Sequence, residues 1–166
     1  MRYRPRHRHA LIRALIPALI PALIPALALA AAAPMLAAAN EPGGEVTVSV
    51  NGLRSAKGDV LVCMTRAAGS FPDCRSDTAA LRAKVAAGHG TTVHFDHVPQ
   101  GRWAVAVLHD ENRNGKADRV LGMMPKEGFG FSRDAPVKMG PPKFGDAVFQ
   151  VGSSDIVQPV RVRYMF

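Results

Sequence analysis

Apolar and polar positions alternate along most of the chain from residue 45 onward. Glu45–Leu53 sets Val46, Val48 and Val50 against Thr47, Ser49 and Asn51, the period of two expected of a strand with one buried face. Asp59–Arg66 differs: Val60, Leu61, Val62, Cys63 and Met64 are apolar on both parities, which predicts a central strand covered on both sides. Thr91–Val98 alternates Val93 and Phe95 with Thr92, His94 and Asp96. Arg102–Asp110 alternates Trp103, Val105 and Val107 with small Ala104 and Ala106. The linking Val98-Pro99-Gln100-Gly101 has turn chemistry, with Pro presetting φ and Gly free to take a positive φ, so these two runs are predicted to pair as a hairpin. Asp146–Val151 and Ile156–Phe166 supply further strands, the last with Val160, Val162 and Tyr164 on one parity and Arg161 and Arg163 on the other.

The remaining segments are less regular. Thr78–Ala87 has helix-forming composition and is predicted as one short helix ended by Gly88-His89-Gly90. Arg119–Gly145 is too rich in Gly and Pro for a helix and reads as a long crossover loop. Six or seven short strands, a Gly/Pro-rich crossover and at most one short helix predict an all-β fold, an antiparallel β-sandwich.

Composition changes this picture at the N-terminus. Arg2, Arg4, Arg6, Arg8 and Arg13 precede an almost wholly apolar run from Ala14 to Leu36, and Ala37-Ala38-Ala39 offers the small-residue pattern of a signal-peptidase site. Residues 1–39 therefore read as a signal peptide and residues 40–166 as a single domain. An uncleaved anchor is the alternative, since the run is long enough to span a bilayer, but Pro17, Pro21, Pro25 and Pro34 would interrupt its helix. With the leader go five of the basic side chains and none of the acidic ones, so the formal net charge falls from +8 to +3. That residue, with no basic run, does not describe a nucleic-acid partner, and membrane contact is expected only through the presequence during export. In an oxidising compartment the pair Cys63 and Cys74 reads as a disulfide.

Candidate chemistry gathers after the Arg102–Asp110 strand. Asp110, Asn112, Asn114 and Asp118 place side-chain oxygens at positions one, three, five and nine of a loop with Gly115 at six, and Lys116 would add its backbone carbonyl. Hard cations such as calcium take ligands of this kind, but Leu121 stands where a twelfth-position carboxylate would be, which predicts a weak site. The alternative is a loop of Asx-turns in which Asn112 and Asn114 bond their own backbone. Glu127, Phe129, Phe131 and Ser132 form a Gly-spaced segment that reads either as a ligand groove or as a loop packing its Phe side chains over the sandwich and anchored by Glu127. His109 neighbours both groups. A soft-metal site built from His94, His97 and His109 with Met64, Met123, Met124 or Met139 has no spacing that unites it. Neither a nucleophile elbow nor a phosphate loop is present.

Longer blocks carry a resemblance. Val-Pro-Gln-Gly-Arg-Trp-Ala-Val (98–105), His109-Asp110-Glu111-Asn112-Arg113-Asn114-Gly115-Lys116-Ala117-Asp118, then Leu121-Gly122-Met123-Met124-Pro125-Lys126-Glu127-Gly128-Phe129-Gly130-Phe131-Ser132 and Gly140-Pro141-Pro142-Lys143-Phe144-Gly145-Asp146-Ala147 follow one another in order. In these blocks the chain resembles the bacterial secreted family known as domain of unknown function 2141, over most of Glu45–Phe166. Asp134 departs from it, standing where similar sequences often have Asn. The resemblance implies a transthyretin-like or carboxypeptidase-regulatory-like sandwich of about seven strands, prealbumin-like with Greek-key connections, and carries no activity. The expected function is that of an exported, periplasmic or secreted module that binds an envelope protein or a glycan without catalysis. The rival expectation is a periplasmic hydrolase using His109, Asp110 and Glu127.

Overall fold

A computed structural model describes residues 43–120, 124–138 and 140–165. The leader assigned to residues 1–39 lies outside the described residues, as do Leu121, Met123 and Met139. The strands are Val46–Asn51 (β1), Asp59–Thr65 (β2), Leu81–Ala86 (β3), Thr92–Phe95 (β4), Gly101–Asp110 (β5), Arg119–Val120 (β6), Met124–Pro125 (β7), Gly128–Phe131 (β8), Phe149–Val151 (β9) and Ile156–Arg161 (β10). One short helix, Phe144–Ala147 (α1), and a 3₁₀ turn at Ser132–Asp134 complete the described elements. The order β10-β1-β4 makes a three-stranded sheet. A five-stranded sheet runs β3-β2-β5-β8, with β9 also paired to β5, and β6-β7 is a separate ribbon. This is the expected all-β sandwich. Its sheets are antiparallel except where β1 runs parallel to β10, Val46 opposite Ile156 through Asn51 opposite Arg161.

Periodicity explains the core. Val46, Val48, Val50, Val93, Phe95 and Val160 face Val60, Val62, Met64, Trp103, Val105 and Val107 across the sandwich, all buried. As predicted, β2 is central, held by β3 on one edge and β5 on the other.

Not every expectation holds. Within Arg119–Gly145, expected as one crossover loop, lie β6, β7, β8 and the 3₁₀ turn, and the strand expected over Asp146–Val151 forms only at Phe149–Val151, after α1. The segment Thr91–Asp110 is no hairpin: β4 pairs with β1 and β5 pairs with β2, so the turn at 98–101 carries the chain across the core from one sheet to the other. Alternation cannot separate the two cases, because strands side by side and strands facing across a core present the same inward parity. The crossing is fastened by the Trp103 indole, whose Nε1 donates to the Pro99 carbonyl at 2.8 Å. Nor does Thr78–Ala87 contain a helix. Leu81–Ala86 is the edge strand β3, with Leu81, Ala83 and Val85 half-buried and Arg82, Lys84 and Ala86 exposed. Helix propensity loses here to pairing with β2, and the exposed Arg82 and Lys84 are the charges that keep an edge strand from pairing further.

The outer face of the larger sheet carries a second apolar cluster. Ala104, Ala106, Phe129, Phe131, Ala135 and Ala147 are buried there, with Phe71, Val137 and Phe144 packed on them. The Cys63–Cys74 disulfide lies on this side and pins the 69–77 loop, so that Phe71 reaches Phe131 (5.7 Å between ring centres) and Phe144 (6.1 Å) edge-on. Strand β8 alternates oppositely on its two faces. Phe129 and Phe131 point outward, while a side chain at Gly130 would stand 2.6 Å from the Arg161 carbonyl and one at Gly128 2.3 Å from the Tyr164 ring. Glycine there lets the chain end come close enough for Phe129 and Arg163 to exchange backbone hydrogen bonds of 2.9 and 2.8 Å.

Gly130→Ala is therefore expected to destabilise the fold by about 2–3 kcal/mol. Gly88→Ala, where nothing lies within 4 Å, should change stability by no more than about 0.5 kcal/mol. Denaturant midpoints of the two variants, compared with the parent, check this. Replacing both Cys63 and Cys74 by Ala should cost about 2–3 kcal/mol, and the unreduced parent should show no titratable thiol by mass spectrometry.

Candidate functional site

The loop after β5 folds around its own short side chains. Asp110 ends β5 wholly buried, its Oδ1 accepting the Asn114 N–H at 3.1 Å and its Oδ2 the Gly115 N–H at 2.7 Å. Asn112 Oδ1 accepts the Asn114 N–H (3.0 Å) and Asn114 Oδ1 the Lys116 N–H (2.8 Å), two successive Asx-turns. Their amide nitrogens both donate to Asp118, from Asn112 at 2.7 Å and from Asn114 at 2.9 Å, and these bonds hold the Asp118 carboxyl below its ordinary pKa. These bonds link Asp110, Asn112, Asn114 and Asp118 into one network. Lys116 enters it through its N–H, and its residue also borders the groove described below.

Glu127, in the turn between β7 and β8, closes the cluster from beneath. It is 3% exposed, and its Oε2 accepts the Asp118 N–H at 3.2 Å, which ties the β7–β8 turn to the end of the loop. Its Oε1 is buried without a hydrogen-bond partner. Burial pushes the Glu127 carboxyl up, and the nearby charges of Asp110 and Asp118 push it the same way.

His109 is fully buried one residue earlier on the opposite face of β5. Its Nε2 lies 2.7 Å from the Lys57 carbonyl, which can only accept, so Nε2 carries the proton. Nδ1 is then left to accept from the Tyr164 hydroxyl at 2.5 Å. That hydroxyl in turn accepts the Arg54 N–H at 3.1 Å, and burial raises the Tyr164 pKa, keeping the proton on oxygen. Arg54 lies 4.4 Å over the Tyr164 ring and pairs with Glu111 through both of its oxygens. Sequence reasoning missed Tyr164, Arg54 and Glu111. Only Glu111 carried a signal, by sitting within the loop motif.

Ser132 is committed to the scaffold as well. Its hydroxyl donates to the Ala147 carbonyl at 2.5 Å and accepts the Val105 N–H at 2.9 Å. Phe129 and Phe131 both pack in the outer cluster and line a groove of about 1150 Å³ on that face. Leu61, Leu108, Val137 and Pro141 share its apolar floor, and Arg75, Arg82, Lys84, Lys116 and Lys138 border it. Glu127 and His109 do not line it. The groove was announced by apolar residues on the second parity of β2 and β5, the feature that marked β2 as central. His94 is exposed and bonded to Glu45 at 2.7 Å while Met64 lies in the core, so the soft-metal grouping does not assemble from them. Among the described residues no three His, Cys, Asp or Glu side chains stand at metal-ligand spacing.

The Arg54 guanidinium, ahead of a smaller contribution from Ser55, holds the Glu111 carboxyl at about 2, against an ordinary value of 4.5. A depressed acid stabilises the fold above the unfolded-chain value and loses that contribution as pH falls through the folded value. Between pH 4.5 and about 2 the parent should therefore lose stability more steeply than Glu111→Gln, as read from urea midpoints across that window.

No curated protein matches the chain, and no solved structure does. One family matches, described as an uncharacterized protein conserved in bacteria (DUF2141), over residues 48–158. The match runs from β1 into β10 and so takes in both sheets, the Asp110–Asp118 loop, Glu127 and the groove. The chain belongs to the DUF2141 family of bacterial proteins.

Proposed function

We propose that the protein is exported, loses residues 1–39, and works in the periplasm or outside the cell as a non-enzymatic module that binds an envelope protein. The groove on the outer face of the five-stranded sheet carries this reading. Leu61, Leu108, Phe129, Phe131, Val137 and Pro141 give it a floor with few partners for sugar hydroxyls, which favours a protein segment over a glycan. Arg75, Lys116 and Lys138 at its border suit acidic residues in that segment. The disulfide and the Arg-then-apolar leader support export. Against a hydrolase stands the engagement of His109, whose two ring nitrogens are both bonded inside the fold, with no substrate-facing nitrogen left to act as a base.

Envelope extracts passed over the mature protein and over Leu108→Glu test the reading. The parent should retain a defined partner, and the variant, with a carboxylate in the groove floor, should retain about tenfold less at an unchanged fold. Equal capture by both baits, or a tagged full-length chain recovered uncleaved from the cytoplasm, would refute it.

A further inference from the structure

The two sulfurs of the disulfide differ in what can reach them. Cys74 is wholly buried, whereas Cys63 is half-buried and lines the groove, on the same parity of β2 as Leu61. A thiolate arriving from solvent therefore meets the bridge at the Cys63 sulfur, through the groove. Arg75 and Lys138 border that approach, and the Arg82 guanidinium is fixed beside Cys74 by donating to its carbonyl. Cations so placed favour the thiolate form both of an incoming thiol and of the sulfur it expels.

The bridge also holds one wall of the groove. Pro72, Asp73 and Arg75 line it from the 69–77 loop, on either side of Cys74. Cys74 itself stands at φ +56°, a left-handed conformation that is costly for any residue with a side chain. The base of this loop is fastened without the bridge, since Asp77 accepts from the Thr65 hydroxyl and, through its carbonyl, from Arg82 at 2.8 Å. Its tip, from Phe71 to Arg75, is cross-linked to the sheet by the disulfide alone. Cutting the bridge frees Cys74 to leave its left-handed conformation and lets the wall draw away from the floor.

We propose that the Cys63–Cys74 disulfide is a redox switch for the groove, reduced from the groove side by a dithiol, and that the reduced protein releases its partner segment. The proposal rests on the groove being the binding site. One thiolate of the dithiol attacks the Cys63 sulfur, the S–S bond breaks, and its electron pair leaves on Cys74, which takes up a proton. The second thiol then attacks the dithiol's own sulfur in the mixed disulfide, freeing Cys63 as a thiol and closing a disulfide in the reductant. The dithiol thus gives up two electrons, and the protein gains two thiols. Occupancy and reduction oppose each other, because a segment lying on the floor covers the sulfur that must be attacked.

The test uses the mature, oxidised protein and the dye anilinonaphthalene sulfonate, an apolar anion, as the groove probe. Brief treatment with glutathione, then alkylation, should leave glutathione on Cys63 and the alkyl group on Cys74 in peptide mass spectra; glutathione mainly on Cys74 would overturn the proposal. Dye at about ten times its Kd should slow reduction by dithiothreitol about tenfold, and an unchanged rate would overturn it. After complete reduction, with the near-ultraviolet dichroism of Trp103 retained, dye affinity should fall about fivefold or more. A reduced protein that keeps both the dichroism and the affinity sinks the switch. The rate measurement needs no stable reduced fold, so it decides the matter if reduction unfolds the chain. Leu108→Glu separates the switch from the reading beneath it. Equal dye binding by oxidised parent and oxidised variant would bring down the groove as a site, whereas binding that is lost in the variant yet indifferent to reduction would bring down the switch alone.

Discussion

Strand β5 is enclosed along most of its length, and the rest of the molecule is arranged around that enclosure. Trp103, Val105 and Val107 fill the inner core, while Ala104 and Ala106 on the opposite parity lie buried under Phe129 and Phe131. Its edges are occupied as well, by β2 along Asp59–Thr65 and by β8 along Gly128–Phe131. A strand enclosed in this way must keep small residues wherever aromatic rings cover it. Any polar group at its end must also find a partner inside the protein, because water cannot reach it. His109 and Asp110 are those groups. The His109–Tyr164–Arg54 chain and the Asp110-centred loop are the two solutions, so the candidate site is a product of how β5 leaves the core.

The same confinement explains the two-layered character of the larger sheet. Its inner side meets the three-stranded sheet, and its outer side has only loops to cover it. The disulfide draws one of these, 69–77, over β2, and the 3₁₀ turn with α1 brings another over β5 through Ser132 and Ala147. The cover is incomplete, and the opening is the groove. Glycines in β8 serve both sides at once: they let the chain end approach from within while their Phe neighbours finish the outer layer.

Much of this was legible in the residues. Period-two patterns located β1, β4, β5 and β10 within a few positions, and a run apolar on both parities located β2 and marked it as central. The partner of each strand was not legible, because inward parity is the same for a neighbour and for an opposite strand; Val93 and Val107 show the ambiguity directly. Strand β3 was hidden by Leu, Arg, Ala and Lys, which favour helices when nothing pairs with them. Within the site, Asp110, Asn112, Asn114 and Asp118 were readable from spacing alone, since one loop contains them. Glu127 was seen as an anchor but could not be placed against the Asp118 N–H, and Arg54 and Tyr164 could not be found, because they arrive from distant segments whose meeting depends on the whole fold.

The parallel pairing of β1 with β10 has a consequence for when the protein can become itself. Glu45 and Asp155, which flank that pair, are 110 residues apart in the chain and are joined by a hydrogen bond of 2.7 Å. During synthesis β1 has β4 within early reach, but its other edge stays open until β10 has been made, and the Arg163 bridge that closes β8 comes later still. Long-range closure of this kind is slow, and a chain lacking its final strands presents two unpaired edges to its surroundings. That edge of β1 is thus sealed only by a pairing the chain cannot make before β10 has been synthesised.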